Sequence, residues 1–176
     1  MSKTITLDVL SKSSISNAIE EVKEYQRWVK KKAVELAEAL SRVGIYEASI
    51  RFAGAQYDGL NDVYVERTQD NNGGYTITAQ GQAVAFIEFG SGVYYNSTEY
   101  PLPKPPGIVG IGEYGKGHGK GQGWAYPEEK GVGSNGWVIK PGWIFTHGNP
   151  RAMPMYYASK EMQDKLITVA REVFGN

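Results

Sequence analysis

Ala85-Phe86-Ile87-Glu88-Phe89-Gly90-Ser91-Gly92 is the stretch on which the reading of this chain turns. An apolar run carries one acid, Glu88, and then breaks on two glycines. Its counterpart, Thr146-His147-Gly148-Asn149-Pro150-Arg151-Ala152-Met153-Pro154-Met155, follows a long glycine-rich excursion and runs straight into a helical pattern. Neither segment gathers the groups that catalysis needs. As a pair they read as two parts of a scaffold whose product is a contact surface, which points to an assembly component rather than an enzyme.

Working outward, the chain before this stretch begins with an extended lead-in over residues 1–13. From Ser14 a helix is predicted: Ile15, Ile19, Val22, Tyr25, Val29, Ala33, Leu36, Leu40 and Val43 step by three or four and share one stripe of a 3.6-residue period. Ser16 or Asn17 can cap its start, and Gly44 stands where a left-handed stop is expected. Glu20, Lys23, Glu24, Lys31, Glu35 and Glu38 form the opposite, solvated face. The period then changes to two. Tyr46, Ala48, Ile50 and Phe52 alternate with polar residues, which predicts a half-buried strand. A second strand is expected at Val63–Arg67. Asp70-Asn71-Asn72-Gly73-Gly74 supplies a turn, because Asn and Gly tolerate positive φ, and Tyr75–Ala79 returns as the antiparallel partner. The run from Ala83 to Phe89 fits either a helix or a strand.

Residues 93–145 differ in texture. Eleven of the 22 glycines lie between Gly107 and Gly136, after Pro101, Pro103, Pro105 and Pro106, and three of the four tryptophans (Trp124, Trp137, Trp143) fall in the same stretch. So many glycines cost too much backbone entropy for a regular element to persist by itself. An inserted loop or arm pinned by aromatics is expected, with a small hairpin over Trp137–Phe145 turning at Pro141-Gly142. After Pro154, Met155, Ala158, Met162, Leu166, Val169 and Val173 restore the helical step to about Phe174. The expected fold is α+β: a long N-terminal helix, a small antiparallel sheet of three to four strands, an inserted arm and a C-terminal helix, in one domain spanning 1–176.

Composition narrows the function. The 176 residues hold no cysteine, which excludes disulfides, thiolate zinc sites and cysteine nucleophiles. Nineteen basic and nineteen acidic side chains cancel, against the basic excess of a duplex-DNA binder. No run of 18 apolar residues occurs, so no membrane span is expected, and the first residues lack the pattern of a secretory signal. Asn96-Ser97-Thr98 matches a glycosylation sequon, read as chance.

Candidate chemistry is thin. Gly110-Ile111-Gly112-Glu113-Tyr114-Gly115 fits a dinucleotide fingerprint, and with Lys116 most of a P-loop. Both motifs need a strand before and a helix after. Prolines precede this one and glycines follow it, and Gly117 replaces the magnesium-binding Ser or Thr. His118 and His147 have no second ligand at metal spacing; His147 is expected to pack or cap a turn. No cofactor and no metal are expected. Glu88, flanked by Phe86, Ile87 and Phe89, is the acid in which burial would raise the pKa as in a general acid, with Glu99, Glu113, Glu128 or Glu129 as second carboxylates of a glycosidase. The structural alternative has Glu88 bonded to backbone amides at a turn or to Arg151, and it is preferred. Trp124, Tyr126, Trp137 and Trp143 could stack on sugars or single-stranded nucleic acid, but they also suit the anchors of a protein interface, the reading preferred because the charge is balanced.

Ile87-Glu88-Phe89-Gly90-Ser91-Gly92, a variable middle, then Gly148-Asn149-Pro150-Arg151-Ala152-Met153-Pro154-Met155 before a C-terminal helix resembles the neck or tail-completion family of long-tailed bacteriophages, named for an HK-type lambdoid phage. The likeness covers the chain outside residues 93–145. Pro154-Met155 stands where members carry a Pro-Phe pair, and the Gly/Trp arm is extra. The resemblance implies a virion protein of a tailed phage or prophage. It would act at the head–tail junction in tail completion or head–tail joining, assembled in the host cytoplasm as a ring of identical subunits with other neck or tail proteins. No reaction is implied. Expected contact residues are Trp124, Tyr126, Trp137 and Trp143; Glu88, Phe89, Gly90, Pro154 and Met155 are the structural motif, with Phe89 and Met155 packing the sheet against the last helix. A tail terminator is one alternative. A phage-encoded carbohydrate- or peptidoglycan-active protein using Glu88 is another.

Overall fold

The computed structural model describes residues 4–6, 11–55, 62–106, 122–130 and 135–175. Most of the expected lead-in, and the glycine stretch that carries the nucleotide-like motif and His118, lie outside the described residues. The elements run α1 (Lys12–Gly54), β1 (Tyr64–Gln69), β2 (Tyr75–Gln80), α2 (Val84–Phe89), β3 (Trp124–Pro127), β4 (Gly136–Lys140), β5 (Trp143–Thr146) and α3 (Pro154–Gly175). The class is α+β, as the pattern of elements predicts.

The first helix is longer than its sequence period suggests. Ser11 caps it, its side chain accepting from the Ser14 amide at 3.3 Å. It does not stop at Gly44, and the strand expected over Tyr46–Phe52 is its last two turns. The alternation of Tyr46, Ala48, Ile50 and Phe52 also contains a helical step. Ser41, Gly44, Ala48 and Phe52 are three or four apart and form the buried line of the helix. Tyr46 and Ile50, the other half of the alternation, are exposed. A Glu47–Arg51 ion pair one turn apart supports the same geometry. Gly44 is a contact residue rather than a stop. A Cβ there would sit 2.5 Å from both Ile77 Cδ1 and Met162 Sδ, so the missing side chain lets β2 and α3 close on α1.

α3 packs antiparallel along α1. Arg51 lies over the Tyr157 ring at 4.3 Å, Gly44 faces Met162, and Trp28 meets Phe174 edge-on at 5.8 Å. At 1.5 Å per residue α1 is about 65 Å long and α3 about 33 Å. α3 therefore ends opposite Trp28. Ile15, Ile19, Val22 and Tyr25, the start of the predicted apolar stripe, remain exposed beyond it. The core sits at the other end, where Ala48, Phe52, Ala83, Ile87 and Ala158 are buried and Val63, Val65, Ala79, Ala152 and Met155 pack around them.

The strands form two small antiparallel sheets rather than one. β1 and β2 make a hairpin in register Tyr64↔Gln80 to Gln69↔Tyr75, closed by the Asp70 carboxylate, which accepts from the Asn72 and Gly74 amides at 2.8 Å. Ala83–Phe89, left open between helix and strand, is helical as α2. Asp62 accepts from the Gln82 and Ala83 amides at 2.7 and 3.1 Å at its start, and those bonds hold its carboxyl below the usual range. The second sheet has the order β3-β5-β4. The predicted 137–145 hairpin is its β4–β5 pair. β3 was not legible, because Trp124–Pro127 is only four residues, follows a glycine-rich stretch and ends on a proline.

The close approach at Gly44 is testable. Gly44→Leu would force a branched side chain into the α1–β2–α3 junction and cost about 2–3 kcal/mol. For a chain of this size the thermal midpoint should drop by roughly 5–10 °C, read by circular dichroism. Gly44→Ala should cost far less, because the flexible Met162 tip can yield and alanine favours the helix.

Candidate functional site

The two segments that decide the sequence reading meet in space. Ser91 and Asn149 form an isolated antiparallel bridge, each amide donating to the other's carbonyl at 3.0 Å. One turn earlier the Ile87 carbonyl accepts from the Ala152 amide at 2.8 Å. Asn96 fills the seam and is wholly buried. Its Nδ2 faces the carbonyls of Asn149, Gly92 and Ser91 at 2.8, 3.0 and 3.2 Å, and its Oδ1 accepts from the Arg151 amide at 2.9 Å. One buried side chain thus satisfies backbone groups from both segments, which is what a loop pair without a sheet requires. The apparent sequon is this structural residue.

Two glycines make the approach possible. Gly148 has φ of 86°, and a Cβ there would run into the Ser91 carbonyl oxygen. Gly90 has φ of 72°, and its Cβ would meet the Asn96 amide at 2.6 Å and the Arg151 nitrogen at 2.8 Å. Both need the left-handed region and the absence of a side chain.

Glu88 lies beside this seam, 3% exposed. Its Oε2 accepts from the Met155 amide at 2.8 Å and its Oε1 from the Tyr156 amide at 3.0 Å. These are orphan donors at the start of α3, where Pro154 occupies the first position and has no N–H to lose. The negative charge also suits the positive end of the helix. Met153, the residue before, has φ of 53° and offers its carbonyl to Tyr157 at 3.0 Å. Tyr100 donates its hydroxyl to Glu88 Oε1 and packs edge-on against Phe89 at 4.8 Å. Burial, then the bond to Glu88 and its charge, push the Tyr100 phenol above its ordinary range. The expected bonding of Glu88 to backbone amides is found. The expected Arg151 partner is not: its guanidinium bonds Thr98 instead. Met155 packs at the edge of the core, whereas Phe89 is taken up by Tyr100 rather than by a sheet.

The register of the second sheet sorts the four aromatic candidates onto two faces. Trp124 and Tyr126 lie opposite Thr146 and Ile144, both buried, on the inner face. Trp124 rests on the seam, close to Gly92 and Gly148. Trp137 lies opposite Phe145, with Trp143 two residues along, on the outer face. The four candidates therefore divide between the two faces of one sheet. The outer pair is joined by His147, which packs as its sequence position suggests, and by two tyrosines that sequence reasoning did not single out. His147 stacks on Tyr94 at 4.3 Å and contacts Trp137 and Phe145 at 5.2 and 5.4 Å. Its Nδ1 lies 2.6 Å from the Gln122 carbonyl, which orients the ring. Tyr95 continues the row from Tyr94 at 4.8 Å. Its residues come from three separate stretches, so no local pattern could have revealed it.

Among the described residues no group of three or more His, Asp or Glu is placed to hold a metal, and no helix is long and apolar enough to cross a membrane. An apolar groove of about 320 Å³ runs between α1, β2 and α3, lined in part by Leu40, Tyr75, Ile77 and Met162. Met155 also lines it, Glu88 does not, and it carries no ionisable side chain apart from the Tyr75 phenol.

Two substitutions test the seam. Asn96→Ala leaves several backbone groups without partners and should cost about 3 kcal/mol; Gly148→Ala should cost at least as much through strain and clash. Both are read as lost urea stability. Tyr100 gives a pH test. Its folded-state value lies above the ordinary 10.0, so its contribution is complete below that pH and is lost as pH rises through and beyond it. The thermal midpoint of the native chain should therefore fall more steeply above pH 10 than that of Tyr100→Phe.

No protein-family model, curated protein or solved structure matches this chain, so the seam and the aromatic row are what its function has to be read from.

Proposed function

We propose that this chain is a structural virion protein of a tailed phage or prophage, acting at the head–tail junction in tail completion or head–tail joining as a ring of identical subunits. One observation carries the reading more than any other. The two segments on which the resemblance rests, 87–92 and 148–155, are bonded to one another through Ser91, Asn149 and Asn96. Residues that occur together in the motif have a common physical task, which is to fasten the C-terminal helix and the aromatic sheet to one body. In that body Trp137 and Trp143 stay at the surface on a sheet held by its own ladder, as anchors for a partner require.

Glu88 bears on the hydrolase alternative. Both of its oxygens are engaged by helix amides, one also by Tyr100, and the side chain is buried. A general acid needs to reach a substrate oxygen, so this arrangement favours a structural role. The proposed site is the virion neck, and the partners are further copies of the chain and neighbouring neck or tail proteins.

Electron microscopy of particles made without the protein tests the function. Separate full heads and finished tails are expected; tails of uncontrolled length would instead mean a terminator, and normal particles would refute both. Glu88→Gln keeps the shape but replaces one carboxylate oxygen by an NH2 donor that faces a helix amide or the Tyr100 hydroxyl. It should destabilise by about 1–3 kcal/mol and lower the yield of complete particles. A stable Glu88→Gln protein that assembles normally but has lost a glycan-cleaving activity of the native chain would favour the hydrolase.

A further inference from the structure

Asn-Gly occurs twice in the chain, at Asn72-Gly73 and at Asn135-Gly136. The pair has a chemistry of its own. A backbone amide nitrogen can attack the carboxamide carbon of the asparagine before it, and glycine, with no Cβ, hinders that approach least. By sequence the two pairs are equivalent; by structure they are not.

Asn135 is held. It is half-buried, its Nδ2 donates to Asn149 Oδ1 at 2.7 Å, and its carbonyl accepts from the Thr146 hydroxyl at 3.0 Å. Gly136 opens β4 in register with Thr146. The carboxamide and the residue that would attack it are thus both tied to the second sheet. Asn72 stands at the tip of the β1–β2 hairpin, where it and Asn71 are exposed. Its carboxamide has no hydrogen-bond partner among the described residues. Only the backbone restrains it. The Gly73 amide donates to the Asp70 carbonyl at 3.2 Å, and the Asp70 carboxylate accepts from the Asn72 and Gly74 amides at 2.8 Å. The bond on the attacking nitrogen is the longest of the three, and loop tips open at little cost.

We propose that Asn72 is a site of spontaneous deamidation whose rate is set by Asp70. When the tip opens, the Gly73 nitrogen gives its proton to solvent base and bonds to Asn72 Cγ. The bond from Cγ to the side-chain nitrogen breaks, and that nitrogen takes up a proton and leaves as ammonia. The product is a five-membered succinimide, which water opens at either carbonyl to aspartate or isoaspartate. Nothing is oxidised or reduced. Isoaspartate has the larger structural effect, because its main chain runs through the former side chain and is one atom longer just before Gly73. Gly73, at φ 84°, lies so close to α1 that a Cβ there would run into a Val34 methyl. A lengthened link does not preserve that contact together with the Asp70 bonds, so the hairpin tip lifts from α1. Either product also sets a second negative charge beside the Asp70 carboxylate. This inference does not rest on the neck reading.

Incubation of the full chain in mildly alkaline buffer, followed by peptide mapping, tests it. In the folded chain Asn72 should convert about tenfold faster than Asn135 or more, and faster still as pH rises. In strong urea the two rates should converge, chiefly because Asn135 is released; this comparison needs no variant. Asp70→Ala, with native circular dichroism, should raise the Asn72 rate about fivefold. Isoaspartyl protein separated by charge should show shifted Val34 methyl resonances and faster amide exchange at Gly74, with the Asn96 seam unchanged. Equal rates at the two sites in the folded chain, an Asn72 that converts only in urea, a folded Asp70→Ala protein that converts no faster, or isoaspartyl protein with native Val34 signals would each overturn the proposal.

Discussion

The Glu88 carboxylate on the first amides of α3 is the constraint on which the rest of the structure depends. A helix start leaves donors that water or a cap must satisfy. Here the cap comes from another element, α2, distant in sequence. It fixes where α3 begins, and so the register in which α3 runs back along α1 past Arg51 and Gly44 to Trp28. Tyr100 hangs on the same carboxylate and brings the proline segment with it. By comparison, the ion pairs along α1, such as Glu20–Arg27 and Glu38–Arg42, lie on exposed side chains. They hold their carboxyls below the usual range without deciding the fold. Surface pairs of this kind stabilise little, whereas a buried acceptor that loses its donors, or donors that lose their acceptor, cost several times more.

The Asn96 seam extends the same logic to the aromatic sheet. The seam has two loops and one bridge, too few backbone bonds to hold by ladder alone. Asn96 supplies what a third strand would have supplied, and Gly90 and Gly148 remove the side chains that would keep the loops apart. Asn149 then passes the connection on, its Oδ1 accepting from Asn135 at 2.7 Å just before β4, while Thr146 donates to the Asn135 carbonyl and accepts from Gly148. The second sheet is thereby attached to the body at its base. Its outer face keeps Trp137 and Trp143 at the surface.

Much of the fold could be read without coordinates, and the errors have physical causes. The α+β class, the β1–β2 hairpin with its Asn/Gly turn, the β4–β5 hairpin and α3 all follow from local patterns. The end of α1 was misread because Tyr46–Phe52 satisfies two periods at once. Ala48 and Phe52 fit a helix face as well as a strand face, and only the packing of β2 and α3 onto Gly44 and Ala48 selects the helix. A glycine after a periodic run signals a stop in isolation; buried between two neighbours it signals contact. The inner and outer faces of the aromatic sheet depend on the pairing of β3 with β5, which composition does not encode.

What the sequence determined by itself is the set of local preferences: where helices can form, where glycine and proline forbid them, and that Glu88 in an apolar run must find partners. Such preferences depend on neighbours a few residues away, so they are legible from order alone. What only the tertiary structure decided is who those partners are: helix amides rather than Arg151 for Glu88, four backbone groups for Asn96, Tyr94 and Trp137 for His147. Each of those choices joins residues far apart in the chain, and its free energy exists only once the backbone has brought them within bonding distance.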